Sequence, residues 1–340
     1  MADPDSIILK IDQAHHLVTA ALESNRTSSE NAASVAQALV SAEIDGQIGH
    51  GLSRVLAYAS QSRSGKVDGF ATPRIIADKP AAVRIDAASG FAFPAMDLAV
   101  STLSERVANT GIAVSSVFRS HHFGVAGYHA ERLANEGIIA LALSNSPRAI
   151  APWGGKSALF GTNPVAFAAP RKDGSPLVID LSLSKVARGK IMVAARNGDS
   201  IPEGWALDAN GHPTTNADAA LAGTMLPMGD AKGAALVLMV ELLAAAMTGA
   251  NFGFEASSFF TAEGDPPGIG QVLIGFDARM LSGDSYLERI EHLIEAIVAQ
   301  PGTRLPGSRR LNARLRVEAD GLAVSRSLVD ELTQLANHSV

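Results

Sequence analysis

The chain has 340 residues, enough to bury one large core or two modest ones without a covalent staple. It contains no cysteine, which excludes disulfides, thiolate zinc sites, cysteine nucleophiles and thiol redox chemistry. A net charge of -6, from 28 basic and 34 acidic residues without a long basic cluster, argues against nucleic acid as a partner.

The first residues, MADPDSIILKIDQ, are acidic where a secretory signal is positive. The most lipid-like stretch, Gly233–Phe254, is interrupted by Glu241, and its charge-free part, Leu242–Phe254, is too short to span a bilayer as a helix. The expectation is a soluble, cytoplasmic protein without a membrane partner.

In chain order, Ala14, Leu17, Val18, Ala21 and Leu22 keep the rhythm of one buried helical face. Thr27-Ser28-Ser29-Glu30 has capping-box spacing and starts a second helix with Val35, Ala36, Leu39 and Val40 inward. Gly46, Gly49 and Gly51 interrupt it before a third helical stretch through Arg54, Val55 and Tyr58. Short apolar runs then alternate with helices. The strand-like runs are 112–117, 139–143, 164–167, 177–179 and 272–274; the helical ones are 94–110, 126–136, 183–196 and 232–248. Tyr286, Ile290, Leu293, Ile294 and Ile297 restore helical spacing near the end. This alternation predicts an α/β protein. Its expected parts are a helical segment over 1–73, an α/β body over 74–284, and a C-terminal helical segment over 285–340 that packs with the N-terminal helices.

The 31 glycines could be turns or a ligand cradle. No G-x-G-x-x-G follows a strand, so the Rossmann fingerprint is absent. Gly155-Lys156-Ser157 resembles the end of a P-loop, but Ile150 stands where that motif needs glycine. His121, His122 and His129 lack a carboxylate at ligand spacing and read as polar-cleft residues rather than a metal site.

Three clusters carry candidate chemistry. In GQIGHGLSR, a helix after Gly49 would put His50 and Arg54 on one face. A guanidinium fork can grip a carboxylate while the imidazole moves a proton, although a solvated helix face could carry the same pair. In SHHFGVAG a strand hands over to a helix whose first N–H groups suit an anion such as a pyrophosphate. In LFGTNP, followed by Asp180 and Ser182 at a strand-to-helix junction, Asp180 could equally be a helix cap.

The order of GHGLSR, SHHFGVAGYHAERLA, NSPRAIAPWGG, LFGTNPVAFAAP, VIDLSLSKVARGKI, IPEGWALDANGHPTT, GDAKGAALVLMVELLAAAMTGA and LPGSRR resembles the type-2 malate/L-lactate dehydrogenases. That family includes sulfolactate and ureidoglycolate dehydrogenases and the reductases of Δ1-piperideine-2-carboxylate and Δ1-pyrroline-2-carboxylate. The resemblance implies a homodimeric oxidoreductase whose NAD(P)-binding α/β body is unrelated to Rossmann domains. By motif it implies His50 as proton donor, Arg54 as the carboxylate contact and Thr162 as a further substrate contact. His122, Phe123, Gly124, Val125 and Ala126 match a cofactor-binding segment, as do Asp180, Leu181 and Ser182. Lys232 and the stretch opened by Gly307, with Arg309 and Arg310, match further cofactor contacts. The two arginines suit a 2′-phosphate, which favours NADP.

Two positions depart from the family. Gly49 replaces the usual serine before the histidine, and Lys190 replaces the aspartate of the Ser-Asp-His relay in the cyclic-imine reductases. The expected substrate is therefore a small 2-hydroxy or 2-oxo carboxylic acid of the malate, lactate or sulfolactate type. A cyclic imino acid is the alternative, and a nucleotide-binding protein without catalysis the further one.

Overall fold

The computed structural model describes residues 5–337. Its organising element is a seven-stranded sheet made from the apolar runs of the middle of the chain. The strand order is Arg74–Lys79, Ala82–Asp86, Ile112–Ser120, Ile269–Asp277, Ile138–Ser144, Val165–Ala169 and Leu177–Leu181. Ala82–Asp86 and Ile112–Ser120 run parallel, and every other neighbouring pair in this sheet is antiparallel. This is an α/β fold, but not a Rossmann sheet, which is mostly parallel.

Helices Ala92–Thr110 and Ala126–Asn135 cover one face, where Met96, Leu103, Val107 and Leu133 pack on Val117, Ala140 and Leu273. Helix Asp230–Glu241 and the π turn Leu242–Ala246 cover the other, with Val237, Val240 and Ala244 against Leu143 and Val272.

The chain ends meet. Strand Ser6–Leu9 pairs antiparallel with Leu322–Ser325, and helices Ile11–Glu23, Ser29–Ile44 and Arg326–Asn337 share a core through Val18, Leu39 and Leu332. Helix Tyr286–Val298 does not join that group; Ile290 and Ile294 pack beside Ala169, Phe167 and Leu177 at the sheet edge. The outermost residues of the two expected helical segments, 1–4 and 338–340, lie outside the described residues.

Local details differ from the sequence pattern for physical reasons. The second helix is capped by Ser28, whose Oγ accepts from the Asn31 N–H at 3.3 Å, one residue later than the Thr27 box. The helix expected over 183–196 forms only at Arg188–Asn197. Residues 183–187 instead bend around an isolated bridge from Ser184 to Pro227, with the Lys185 N–H on the Leu226 carbonyl and the Ser184 hydroxyl on the Val186 carbonyl. Among the described residues no helix is long and apolar enough to cross a membrane.

Candidate active site

His50 and Arg54 do not share one α-helix. They close two successive 3-10 turns, Ile48–His50 and Leu52–Arg54, separated by Gly51. The cause is the buried Glu43, whose carboxylate accepts the Leu52 N–H at 2.8 Å. A Cβ on Gly51 would lie 2.1 Å from that carboxylate oxygen, so a side chain there would have to displace the Glu43 carboxylate. The two side chains still lie near enough for the Arg54 charge to act on His50. The positive charge of Arg54 depresses His50, and desolvation depresses it more, leaving its pKa at about 4.

Both residues keep unsatisfied atoms. His50 Nδ1 and Arg54 Nη1 are buried without a hydrogen-bond partner, whereas Arg54 Nε donates to the Gly49 carbonyl at 2.6 Å. They are two of eleven such side-chain atoms among the described residues, and what sets them apart is that both sit on half-buried cationic or titratable side chains that a ligand can reach.

His122 stacks on His50 with ring centroids 5.2 Å apart and planes 16° apart. Its Nδ1 lies 2.5 Å from the hydroxyl of fully buried Tyr58. Burial raises the Tyr58 pKa and keeps that hydroxyl protonated. With Tyr58 donating, the proton of neutral His122 sits on Nε2. Desolvation, and then Arg54, hold His122 far below the usual histidine range. His121 is bound through Nε2 to Gln61 at 2.7 Å and depressed to about 3, mainly by burial. His129 stacks on Phe123 and bonds its carbonyl at 2.8 Å. His121 and His129 are thus core residues held in aromatic packing.

The remaining segments gather along strand Leu177–Leu181. Asp180 Oδ2 accepts the Gly127 N–H at 2.9 Å, placing a carboxylate at the start of helix Ala126–Asn135. Asp180 therefore stands across from that helix rather than capping its own, and it claims one of the amides expected for a pyrophosphate. Burial raises its pKa. A Cβ on Gly307 would lie 3.3 Å from the Val178 carbonyl, which brings the C-terminal stretch to the same strand. Beyond it, the Leu183 N–H donates to the Thr162 carbonyl and the Leu183 carbonyl accepts from Met228, both at 2.9 Å. Thr162 is half-buried, its N–H bonded to Ser146 Oγ at 3.0 Å. Ser182 Oγ shares a hydrogen bond with Ser184 Oγ, and Leu181 is exposed.

A nicotinamide nucleotide fits these surroundings. Helices Ala126–Asn135, Asp230–Glu241 and Ser308–Asp320 all start without a side-chain cap. Each start includes a glycine at positive φ: Gly124 at 72°, Gly229 at 65° and Gly307 at 81°. First turns without an N-cap side chain offer N–H groups and a positive dipole end to phosphates, less the Gly127 N–H that Asp180 already takes in helix Ala126–Asn135. Lys232 and Arg309 stand exposed on two of these first turns.

Arg310 is engaged within the chain. It is buried, 3.5 Å from Asp45 and 3.4 Å from Glu131. Arg314 completes this network with a bidentate grip on Asp45 at 2.6 and 3.0 Å and a bond to Glu131 at 2.7 Å. Arg310 thus takes part in bracing the fold, and Arg309 is the exposed one of the two arginines.

The sequence pattern did not single out Tyr58 as a functional residue, although it lies four residues after Arg54. Neither Phe259, packed on His121 and His122, nor Phe260, whose ring lies 4.5 Å from Arg54 Cζ, carried any local signal.

The malate/L-lactate dehydrogenase family model matches residues 9–333. The chain is 50% identical over 331 residues to a (2R)-3-sulfolactate dehydrogenase (NADP(+)) of Chromohalobacter salexigens, covering 97% of this chain and 98% of the relative. It is 40% identical to a Δ1-pyrroline-2-carboxylate/Δ1-piperideine-2-carboxylate reductase of Pseudomonas syringae pv. tomato, covering 92% and 91%. Among solved structures, a Δ1-piperideine-2-carboxylate reductase from P. syringae superposes with a TM-score of 0.92 at 38% identity, covering 97% of this chain and 99% of that one. The sulfolactate dehydrogenase of Methanocaldococcus jannaschii superposes with a TM-score of 0.90 at 28% identity, covering 98% and 97%. The fold, the paired His50 and Arg54 and these matches lead to one conclusion: the chain belongs to the malate/L-lactate dehydrogenase family.

Proposed function

We propose that this protein is an NADP-preferring oxidoreductase that interconverts a small 2-hydroxy acid and its 2-oxo acid. The observation that carries this reading is the pair of buried, unpartnered atoms His50 Nδ1 and Arg54 Nη1 on side chains close enough to couple electrostatically. When bound, the nicotinamide supplies or accepts the hydride at C2. Arg54 binds the substrate carboxylate, with Thr162 as a second contact. His50 gives a proton to the developing alkoxide in reduction and removes it in oxidation.

The substrate also prepares the acid. Arg54 helps hold His50 at about 4, so a carboxylate placed on Arg54 offsets that charge and raises His50 toward protonation. His122, fixed by Tyr58, supports the His50 ring. The first turns begun near Gly124, Gly229 and Gly307 hold the phosphates, with Lys232 and Arg309 as cations. The half-identical NADP-dependent sulfolactate dehydrogenase supports both the substrate class and NADP.

A cyclic imino acid is the second reading, supported by the P. syringae reductase. Against it, no relay reaches His50: Gly49 lacks a hydroxyl, Lys190 is exposed, and His50 Nδ1 has no partner. Initial rates with pyruvate, oxaloacetate, sulfopyruvate and Δ1-pyrroline-2-carboxylate, each with NADPH and NADH, decide between them. Preference for a 2-oxo acid with NADPH is expected; faster turnover of the imine would reverse the assignment.

The working form is a homodimer. Its support is an apolar surface on and after helix Asp230–Glu241, where Leu236, Met239, Leu242 and Met247 are 42–53% exposed. Beside it lies a groove of about 320 Å³ lined by Ile112, Leu243, Met247 and Ile274. Light scattering should give twice the chain mass, and Leu242→Asp should give a monomer. A cytoplasmic location follows from use of the cellular nicotinamide pool and is checked by fractionation.

A further inference from the structure

A strap after the π turn, residues 252–263, runs between the two substrate-contact regions. Its first end is tied to buried Glu241, which accepts the Gly253 N–H at 2.6 Å and the Asn163 side-chain amide at 2.7 Å, next to Thr162. Its second end closes on one ammonium. Lys66, itself only 3% exposed, donates from Nζ to the carbonyls of Ser258 at 2.7 Å, Thr261 at 3.0 Å and Glu263 at 2.9 Å. Gln61 adds a bond to the Phe259 carbonyl at 2.7 Å. All three Lys66 donors are spent on strap carbonyls, so the charge is used to fix a backbone shape.

That shape delivers two rings to the site. Phe259 is buried against His121 and His122. Phe260 stays 49% exposed, with its ring over the Arg54 guanidinium at 4.5 Å. One face of Arg54 is therefore covered by an aromatic ring while Nε is held by Gly49, which restricts a carboxylate to the remaining edge of the fork.

We propose that Phe260 is a substrate-contacting residue that orients the carboxylate on Arg54, and that Lys66 is the positioning residue that holds it there. The inference rests on the proposed function only through Arg54 as the carboxylate site.

The test uses the full-length enzyme with NADP+, titrated with oxalate as a non-reacting mimic of a 2-oxo acid. Lys66→Met and Phe260→Leu should each weaken oxalate binding roughly 10- to 100-fold, because a displaced wall misplaces the bound group. NADPH affinity should stay within about twofold, and Lys66→Arg should recover part of the loss. The Lys66→Met/Phe260→Leu double variant should be no worse than the weaker-binding single, since both remove one device. Amide exchange over 258–263 should quicken in Lys66→Met. Unchanged oxalate binding in both single variants, additive losses in the double, or unchanged exchange at 258–263 in Lys66→Met would overturn the proposal. A wild-type enzyme that binds oxalate but turns over no 2-oxo acid or imine would sink the proposed function while leaving the strap's role standing on these readouts.

Discussion

The two sides of the site are built on opposite electrostatic plans. Around Asp45, Glu131, Arg310 and Arg314, two buried carboxylates are met by two guanidinium groups, and Arg314 grips both acids through close hydrogen bonds. Around His50 and Arg54, cationic and titratable groups are crowded with no ion pair among the described residues, the nearby Glu43 carboxylate being spent on the Leu52 N–H, and two of their atoms are buried unpaired. The first arrangement ties helix Ser308–Asp320 to the segment leading into His50 and to helix Ala126–Asn135. The second keeps an uncompensated charge in a desolvated place. The contrast separates structural ion pairing, in which each carboxylate meets a guanidinium of the chain and only Arg310 Nε lacks a hydrogen bond, from a site whose missing partner is a ligand.

The largest effect expected from breaking this contrast is at the proton donor. His50→Ala should lower kcat by roughly 10²–10⁴ while NADPH affinity, read by fluorescence titration, holds. Full turnover on the best substrate would remove His50 from the mechanism. Arg54→Gln should reduce kcat/KM for the carboxylate by about 10²-fold or more, since a buried charged contact is lost. It should also shift a pH profile in a defined direction. Removing the Arg54 charge raises His50 from its value of about 4, so the acid limb of kcat/KM for 2-hydroxy-acid oxidation moves to higher pH. A limb that stays in place or moves lower would show that the pair is not coupled.

On the ion-paired side, the same kind of truncation should act on stability instead. Arg314→Ala leaves Asp45 and Glu131 with Arg310 alone and should cost about 3 kcal/mol, seen as a lower denaturation midpoint with an unchanged slope. A collapse of kcat in the folded variant, with stability unaltered, would erase the distinction between the two regions. The smallest effect is expected at the surface: Arg309→Ala should reduce the preference for NADPH over NADH about tenfold, one charge-assisted contact's worth. An unchanged ratio would place the 2′-phosphate elsewhere.

What could be read ahead of the structure was whatever repeats locally. The short apolar runs of 112–117 and 139–143 marked strands, which the fold extends to Ile112–Ser120 and Ile138–Ser144. Arg74–Lys79 was invisible because all six of its residues are exposed on an edge, so no buried face imposes a pattern. Ser6–Leu9 and Leu322–Ser325 were invisible for a different reason: they are too short to declare themselves and exist only as a pair closed across the chain. In the site, His50, Arg54 and Thr162 stood out because motifs keep their order. Gly51 looked like an interruption within a helix, and only the Glu43 carboxylate packed against it explains two turns in place of one. Lys66 and Phe260 escaped because their partners lie about 200 residues away and nothing in the local pattern encodes them.

The most direct measurement is a crystal structure of the enzyme with NADP+ and oxalate. One oxalate carboxylate should lie within hydrogen-bond distance of Arg54 Nη1, with an oxygen of the ligand facing the His50 imidazole. A carboxylate bound away from Arg54, with Nη1 and His50 Nδ1 still unpaired, would contradict the assignment of both residues.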